Sequence, residues 1–324
     1  MATESVFGPQ LRERRARLER AARGSARPPE VARLLAEVDA ALDRLEQGSF
    51  GRCETCHDAI EPERLTADPL LRFCLDHLTR AEQDDLQRDL ELAQRIQTAL
   101  LPQREAALPG WDAHYLYRPL GVVSGDTCDV WPEGPDGFQL VLGDVAGKGV
   151  AASLLMANLQ AIFRALALPG LALGERVARA NHLFCEATLP SSYATLVAAR
   201  GGPGGALEVV NAGHCPPLLL RAGRVEQLPP AGLPLGLFCS ASYAPVRVEL
   251  GRDDLLLLYT DGLSEARSAA GEELGVERLE RLLAGLPAGL RAREVVAAVE
   301  QTLLRFLDGA PHHDDLTVLA LRRA

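Results

Sequence analysis

The chain has 324 residues, 47% of them hydrophobic, enough for two domains or for one large domain with an appendage. Its formal net charge of −10 argues against sequence-blind nucleic-acid binding, which needs clustered cations. No apolar run reaches the ~18 residues of a membrane span, and the Arg- and Glu-rich start lacks the apolar core of a secretory signal, so a cytoplasmic setting is expected.

Residues 8–23 and 29–47 read as helices. The second opens after Pro28-Pro29, where proline suits a first turn. Val31, Leu34, Leu35, Val38, Leu42 and Leu45 give it a single apolar stripe. The short link from Gly24 to Pro28 predicts a helical hairpin. Then comes Cys53-Glu54-Thr55-Cys56, followed after seventeen residues by Cys74-Leu75-Asp76-His77. Two ligand pairs at this spacing are a zinc signature. Cys53, Cys56, Cys74 and His77 can close a tetrahedron of three thiolates and one imidazole with no open position, so one structural Zn²⁺ is expected. His57 is a competing fourth ligand. The other cysteines are scattered singly, which fits a reducing compartment rather than a disulfide framework.

The hairpin, the run Leu45-Glu46-Gln47-Gly48-Ser49-Phe50-Gly51-Arg52 before Cys53, and Ile60-Glu61-Pro62-Glu63-Arg64-Leu65 before Cys74 resemble the DksA/TraR-type zinc finger, over roughly residues 8–80. His77 stands where that family usually has a fourth cysteine. The hairpin tip, Arg23 to Pro28, lacks the acidic residues through which family members act inside RNA polymerase. The resemblance therefore implies the zinc fold, serving as a docking or dimerisation module.

Residues 78–101 predict one long polar helix, with Leu86, Leu90, Ala93, Ile96 and Leu100 as a narrow seam and Pro102 as its stop. A narrow seam with charged flanks fits a parallel coiled coil between two subunits as well as a helix lying on its own domain. A homodimer through this linker is expected. The chain thus divides into a zinc-finger module (1–80), a linker helix (81–104) and a larger domain (105–324).

In the larger domain, apolar runs too short for helices occupy 139–142, 194–199, 207–211, 217–221, 245–250, 255–259 and 316–321, punctuated by Gly, Pro, Asn and Asp. Helical patterns cover 151–166, 172–187, 276–283 and 292–307. Tight glycine turns such as Gly201-Gly202-Pro203-Gly204-Gly205 point to antiparallel hairpins and an α+β fold.

Four aspartates stand at strand edges or beside glycine: Asp126 in Ser124-Gly125-Asp126, Asp144 in Gly143–Gly149, Asp261 in Tyr259-Thr260-Asp261-Gly262, and Asp314 in Asp314-Asp315-Leu316-Thr317. Crowded carboxylates repel unless cations lie between them. Carboxylates, a carbonyl and waters suit octahedral Mn²⁺ or Mg²⁺, and two such ions can activate a water for phosphate-ester hydrolysis.

These motifs, in order with Asn211-Ala212-Gly213-His214 and Leu233-Pro234-Leu235-Gly236, resemble the PPM-type metal-dependent serine/threonine phosphatases of the SpoIIE/RsbU-type branch. Glu91–Pro102 is similar to the helix that precedes that catalytic domain. The resemblance implies a PPM phosphatase-like β-sandwich flanked by helices. It implies two Mn²⁺ or Mg²⁺ ions per site, with Asp144 and the Val145 carbonyl shared between them and Asp126, Asp261 and Asp314 as further ligands. Asp315 is the rival of Asp314. It also implies a phosphorylated anti-sigma-factor antagonist as substrate, in bacterial stress signalling. Ser124 replaces the branch's common glycine, and Thr127-Cys128 replaces a usually aromatic pair before Asp129. His214 is either a turn cap or a direct participant. The rival reading is a non-enzymatic zinc-finger regulator that binds RNA polymerase or another protein.

Two other signals are set aside. Cys215 to Arg221 has the C-x5-R spacing of cysteine-dependent phosphatases, but Pro216 and Pro217 lack the N–H groups such a loop needs, and Leu218–Leu220 read as a buried strand. Gly143–Gly149 lacks the spacing and the Ser/Thr of a nucleotide-binding loop. Cys128, Cys185 and Cys239 read as small core residues.

Overall fold

The computed structural model describes residues 2–21, 29–78, 80–102, 108–134, 137–168, 170–189, 192–202 and 204–324. They form two compact units, Met1–Asp89 and Leu90–Ala324. The division falls inside one helix.

The first unit opens with helices α1 (Ala2–Ala21) and α2 (Pro29–Glu46). Leu11, Leu35, Val38 and Ala41 are buried where the helical hairpin packs. The expected turn from Gly24 to Pro28 lies outside the described residues, as does the whole hairpin tip from Arg23. A short helix α3 (Pro62–Ala67) and a single 3-10 turn (Leu75–His77) follow. Cys53, Ile60, Leu65 and Cys74 make a small core against Phe7 and Phe50. So few apolar side chains make a small core, and modules of this kind commonly draw their folding free energy from a bound metal.

The second unit begins within α4 (Arg80–Leu100) and contains two five-stranded antiparallel sheets. One has the order β1 (Trp111–Arg118), β10 (Leu316–Arg323), β9 (Leu255–Tyr259), β6 (Leu218–Arg221), β7 (Arg224–Gln227). The other has the order β2 (Asp126–Glu133), β3 (Gly137–Val145), β4 (Ala194–Gly201), β5 (Ala206–Ala212), β8 (Val246–Glu249). Alternate residues from both sheets, among them Cys128, Leu140, Val197, Val209, Leu256 and Leu319, share the core between them. The opposite faces are buried too. Val141, Leu196 and Val210 pack under α5 (Gly149–Ala165) and α6 (Leu173–Ala187). Leu257, Val318 and Ala320 pack under α8 (Val276–Ala284) and α9 (Ala292–Leu307). A four-residue helix α7 (Asp261–Ser264) follows β9. Burial on both faces explains why Leu255–Tyr259 is apolar throughout instead of alternating.

The α+β sandwich expected from the sequence is present. Strands β1, β2 and β7 are additional to the expected set, because Asp112 and His114 in β1, Asp126 and Asp129 in β2, and Arg224 and Glu226 in the four-residue β7 interrupt their apolar pattern. Asp144 does not follow β3 but lies inside it, opposite Asp126 on β2. Asp314 does not open the last strand, which begins at Leu316. Cys239 is exposed and Cys185 half-buried, so of the three expected core cysteines only Cys128 is buried. On α4 the expected apolar seam is not the buried face: Leu86 and Ile96 are 48% and 56% exposed, whereas Gln97 is 5% exposed.

Candidate metal centres

In the first unit Cys53, Cys56, Cys74 and His77 each offer one ligand atom, all within 4.8 Å of one another. Sγ of Cys56 and Sγ of Cys74 are 3.8 Å apart, and Sγ of Cys74 and Nδ1 of His77 are 3.3 Å apart. Thiolates bound at ~2.3 Å to a tetrahedral zinc lie about 3.8 Å from one another. The donor set and its spacing therefore fit one Zn²⁺. Two tight turns build it, His57 N–H donating to the Cys53 carbonyl and His77 N–H to the Cys74 carbonyl. His57 is exposed and outside the cluster. Burial raises the Cys53 thiol, but backbone N–H groups of Cys56, Cys74 and Thr55 outweigh it and lower it. At Cys56 the backbone N–H of Asp58 is outweighed by burial and the neighbouring Cys53 and Cys74 thiols, which raise it, the mutual repulsion that a bound cation would relieve.

In the second unit both sheets deliver carboxylates to one end of the sandwich. The β2–β3 pairing sets Asp126 opposite Asp144. Thr260 and Thr317, at the ends of β9 and β10, donate hydroxyl bonds of 3.0 and 2.5 Å to Oδ2 of Asp126. After Asp144 the chain turns through Gly147 and Gly149, at φ of 114° and 71°, which side chains rarely adopt. Gly125 lets the strands close: a Cβ there would lie 2.9 Å from the Val145 carbonyl oxygen and 3.5 Å from Oδ1 of Asp144.

The electrostatics mark these carboxylates as mutually repelling. Burial, then Asp261, Asp314 and Asp315, push Asp144 up to about 7. Burial raises Asp126 well above the usual carboxylate range despite the Thr317 hydroxyl, with Asp144 adding to the rise. Asp261 is raised by burial and by Asp314. Oxygen donors that resist ionising together fit hard divalent cations.

Asp314 and Asp315 have separate surroundings. Both oxygens of Asp315 accept backbone N–H bonds, from Leu120 at 2.7 Å and Gly125 at 2.9 Å. Asp314 accepts from Nζ of Lys148 at 2.9 Å, and Lys148 also donates to the His313 carbonyl. Lys148 is the chain's single lysine beside 33 arginines. His214 is buried, its Nδ1 is 2.7 Å from the Thr195 hydroxyl, and its N–H donates to Asn211. Burial pushes the ring down to about 4, so it is neutral at pH 7 and ties the loop after β5 to β4. Arg221 pairs with Asp254, not Cys215.

Sequence reasoning passed over three residues around this site. Buried Asp129 takes both Nε and Nη2 of Arg164, each at 2.6 Å, and fastens α5 to β2. Gln160 and Gln97 each hold a carbonyl near the end of α4 or beside Asp126. For the two glutamines, only their placement in helices otherwise read by apolar stripe is a hint.

Two family models match the chain: Stage II sporulation protein E (SpoIIE) over residues 134–324, and the prokaryotic dksA/traR C4-type zinc finger over residues 48–83. Protein IcfG of Synechocystis is 26% identical over 272 residues, covering 72% of this chain and 41% of IcfG. Phosphoserine phosphatase RsbU of Bacillus subtilis is 25% identical over 260 residues, covering 76% of this chain and 74% of RsbU. Among solved structures, the SiaA-PP2C domain of Pseudomonas aeruginosa superposes with a TM-score of 0.67 at 23% identity, covering 76% of this chain and 99% of that domain.

Proposed function

The chain belongs to the SpoIIE family, and from that premise we propose that it is a metal-dependent protein serine/threonine phosphatase. The observation that carries the reading is the convergence at one end of the sandwich of Asp126 and Asp144 from one sheet with Asp261 and Asp314, which flank β9 and β10 of the other sheet, each of Asp126, Asp144 and Asp261 raised above its ordinary range. Asp144 and the Val145 carbonyl would be shared between two Mn²⁺ or Mg²⁺ ions, with Asp126, Asp261 and Asp314 completing the set. When bound, such a pair neutralises phosphoryl oxygens and supplies a water acidic enough to attack at neutral pH.

The protein's own residues prepare that site. Thr260 and Thr317 both donate to the same oxygen of Asp126, Oδ2, and so fix that carboxylate. Asp315 fixes the backbone at Leu120 and Gly125, which favours Asp314 as the ligand and gives Asp315 a holding role. Lys148 holds an ammonium beside Asp314, where it could meet a phosphoryl oxygen once Asp314 is engaged elsewhere.

The substrate we propose is a phosphorylated anti-sigma-factor antagonist in stress signalling, in the cytoplasm; among the described residues no helix is long and apolar enough to cross a membrane. Homodimerisation through α4 fits Leu86, Leu92 and Ile96, which are 48%, 48% and 56% exposed. The polymerase-binding alternative is disfavoured by the sequence of the hairpin tip, Arg23 to Pro28, which lacks acidic residues. The test is hydrolysis of p-nitrophenyl phosphate and of a phosphoserine protein with Mn²⁺ added. Activity should vanish with EDTA and fall about a thousandfold or more in Asp144→Asn. Undiminished turnover in either case would sink the reading.

A further inference from the structure

Helix α4 is polar and exposed along nearly its whole length, yet one of its polar residues is buried. Gln97 is 5% exposed, and among the described residues of α4 no other falls in the buried class. An amide taken out of water is costly unless both its donor and its acceptor are used. Gln97 uses both on one residue: Nε2 donates to the Ser124 carbonyl at 2.7 Å, and Oε1 accepts from Ser124 N–H at 3.0 Å.

Ser124 is the start of a chain of bonds into the metal cleft. Its Oγ accepts from Asp126 N–H at 3.0 Å. The next residue, Gly125, donates to Asp315 at 2.9 Å, and its carbonyl accepts from Val145 N–H at 3.2 Å. The end of α4 is held from another side as well. Gln160 of α5 donates to the Leu100 carbonyl at 2.6 Å and to Asp129 on β2 at 3.2 Å. The last turn of α4 is therefore tied to the strand that carries Asp126 and to the helix that follows Asp144.

We propose that Gln97 is a positioning residue of the metal centre: its carboxamide fixes the Ser124–Asp126 backbone, so the last turn of α4 helps to set cation affinity. The inference rests on the metal-site reading above but concerns a residue that touches neither cation nor substrate. Partners one step removed from metal ligands typically change affinity by ~10–100-fold.

The experiment titrates Mn²⁺ into the full zinc-loaded chain by calorimetry, comparing wild type with Gln97→Ala, Gln97→Met and Thr98→Ala. Methionine keeps the volume and helix preference of glutamine while removing both bonds. The Thr98 hydroxyl bonds the Gln94 carbonyl within the helix, so Thr98→Ala is the control. Gln97→Ala and Gln97→Met should bind Mn²⁺ about tenfold or more weakly, lose hydrogen-exchange protection at the Ser124 amide, and recover turnover at high Mn²⁺. Thr98→Ala should match wild type. Mn²⁺ affinity within twofold of wild type in both Gln97 variants overturns the proposal. So does a fall in melting temperature in EDTA with affinity unchanged in the folded protein, which would make Gln97 a folding residue. A wild-type chain that binds no exchangeable Mn²⁺ would instead remove the metal-site reading itself.

Discussion

The two metal centres differ in how far the chain travels to build them. The sulfur site closes between Cys53 and His77, inside one small module. The oxygen site draws on Asp126, Asp144, Asp261 and Asp314, delivered by strands and turns of two different sheets. A local site can define its own fold, so its metal substitutes for a core. A distributed site depends on a fold that is already built, so the proposed cations would act on a prepared cleft and would be free to exchange.

The sharpest test of that contrast is removal of each metal. Stripping zinc, or making Cys74→Ser, should abolish cooperative structure in residues 48–78, since a structural zinc supplies ~10–16 kcal/mol of binding free energy to such modules. The melting transition of the second unit should persist, as read by calorimetry and by hydrogen exchange in β3 and β10. EDTA mild enough to spare the zinc should remove turnover and leave both transitions. If zinc loss unfolded the sandwich as well, the contrast would break.

The next comparison is between neighbours. Asp314→Asn should weaken Mn²⁺ binding about tenfold or more while leaving the melting temperature in EDTA near wild type. Asp315→Asn should do the reverse, costing about 1–3 kcal/mol of stability, because the amide group that replaces one carboxylate oxygen cannot accept from Leu120 or Gly125 N–H. Equal effects on both readouts would erase the division of roles.

A smaller effect appears with pH. Asp144 has an ordinary value of 3.8 and titrates at about 7 in the folded unit. The folded form then holds a proton that the unfolded chain has released, so the stabilisation is full below pH 3.8 and is lost as pH rises through 7. In EDTA the melting temperature of the second unit should therefore climb as pH is lowered from 8 to about 6.5, below which buried His214, held down to about 4, opposes the gain. With Mn²⁺ present the trend should invert, because cation and proton compete for the same carboxylate.

Much of this was legible in the sequence, for reasons that differ by site. The zinc ligands are readable because their spacing is short and sulfur is a rare, specific donor. The aspartates are readable only together, since any one beside glycine is an ordinary turn residue. The proposed division between Asp314 and Asp315 was not readable, because it turns on bonds that Asp315 accepts from backbone N–H groups at Leu120 and Gly125, nearly two hundred positions away. Gln97 was hidden for a related reason. Apolar periodicity looks for a buried stripe, and α4 buries an amide in place of one. Strand β2 escaped notice because Asp126 and Asp129 are buried among its apolar residues by partners the sequence does not reveal, two threonine hydroxyls and one guanidinium.

The bond between Lys148 and Asp314 has a practical consequence. With one lysine in the chain, an amine-selective acylating reagent has a single side-chain target, and that target lies at the cleft. Asp314 raises the Lys148 ammonium above its ordinary range, which keeps it protonated and slow to acylate. A cation that draws Asp314 away should release the amine and quicken labelling. Mass spectrometry of one modified peptide would then report cation occupancy in the unmutated protein, with no engineered probe.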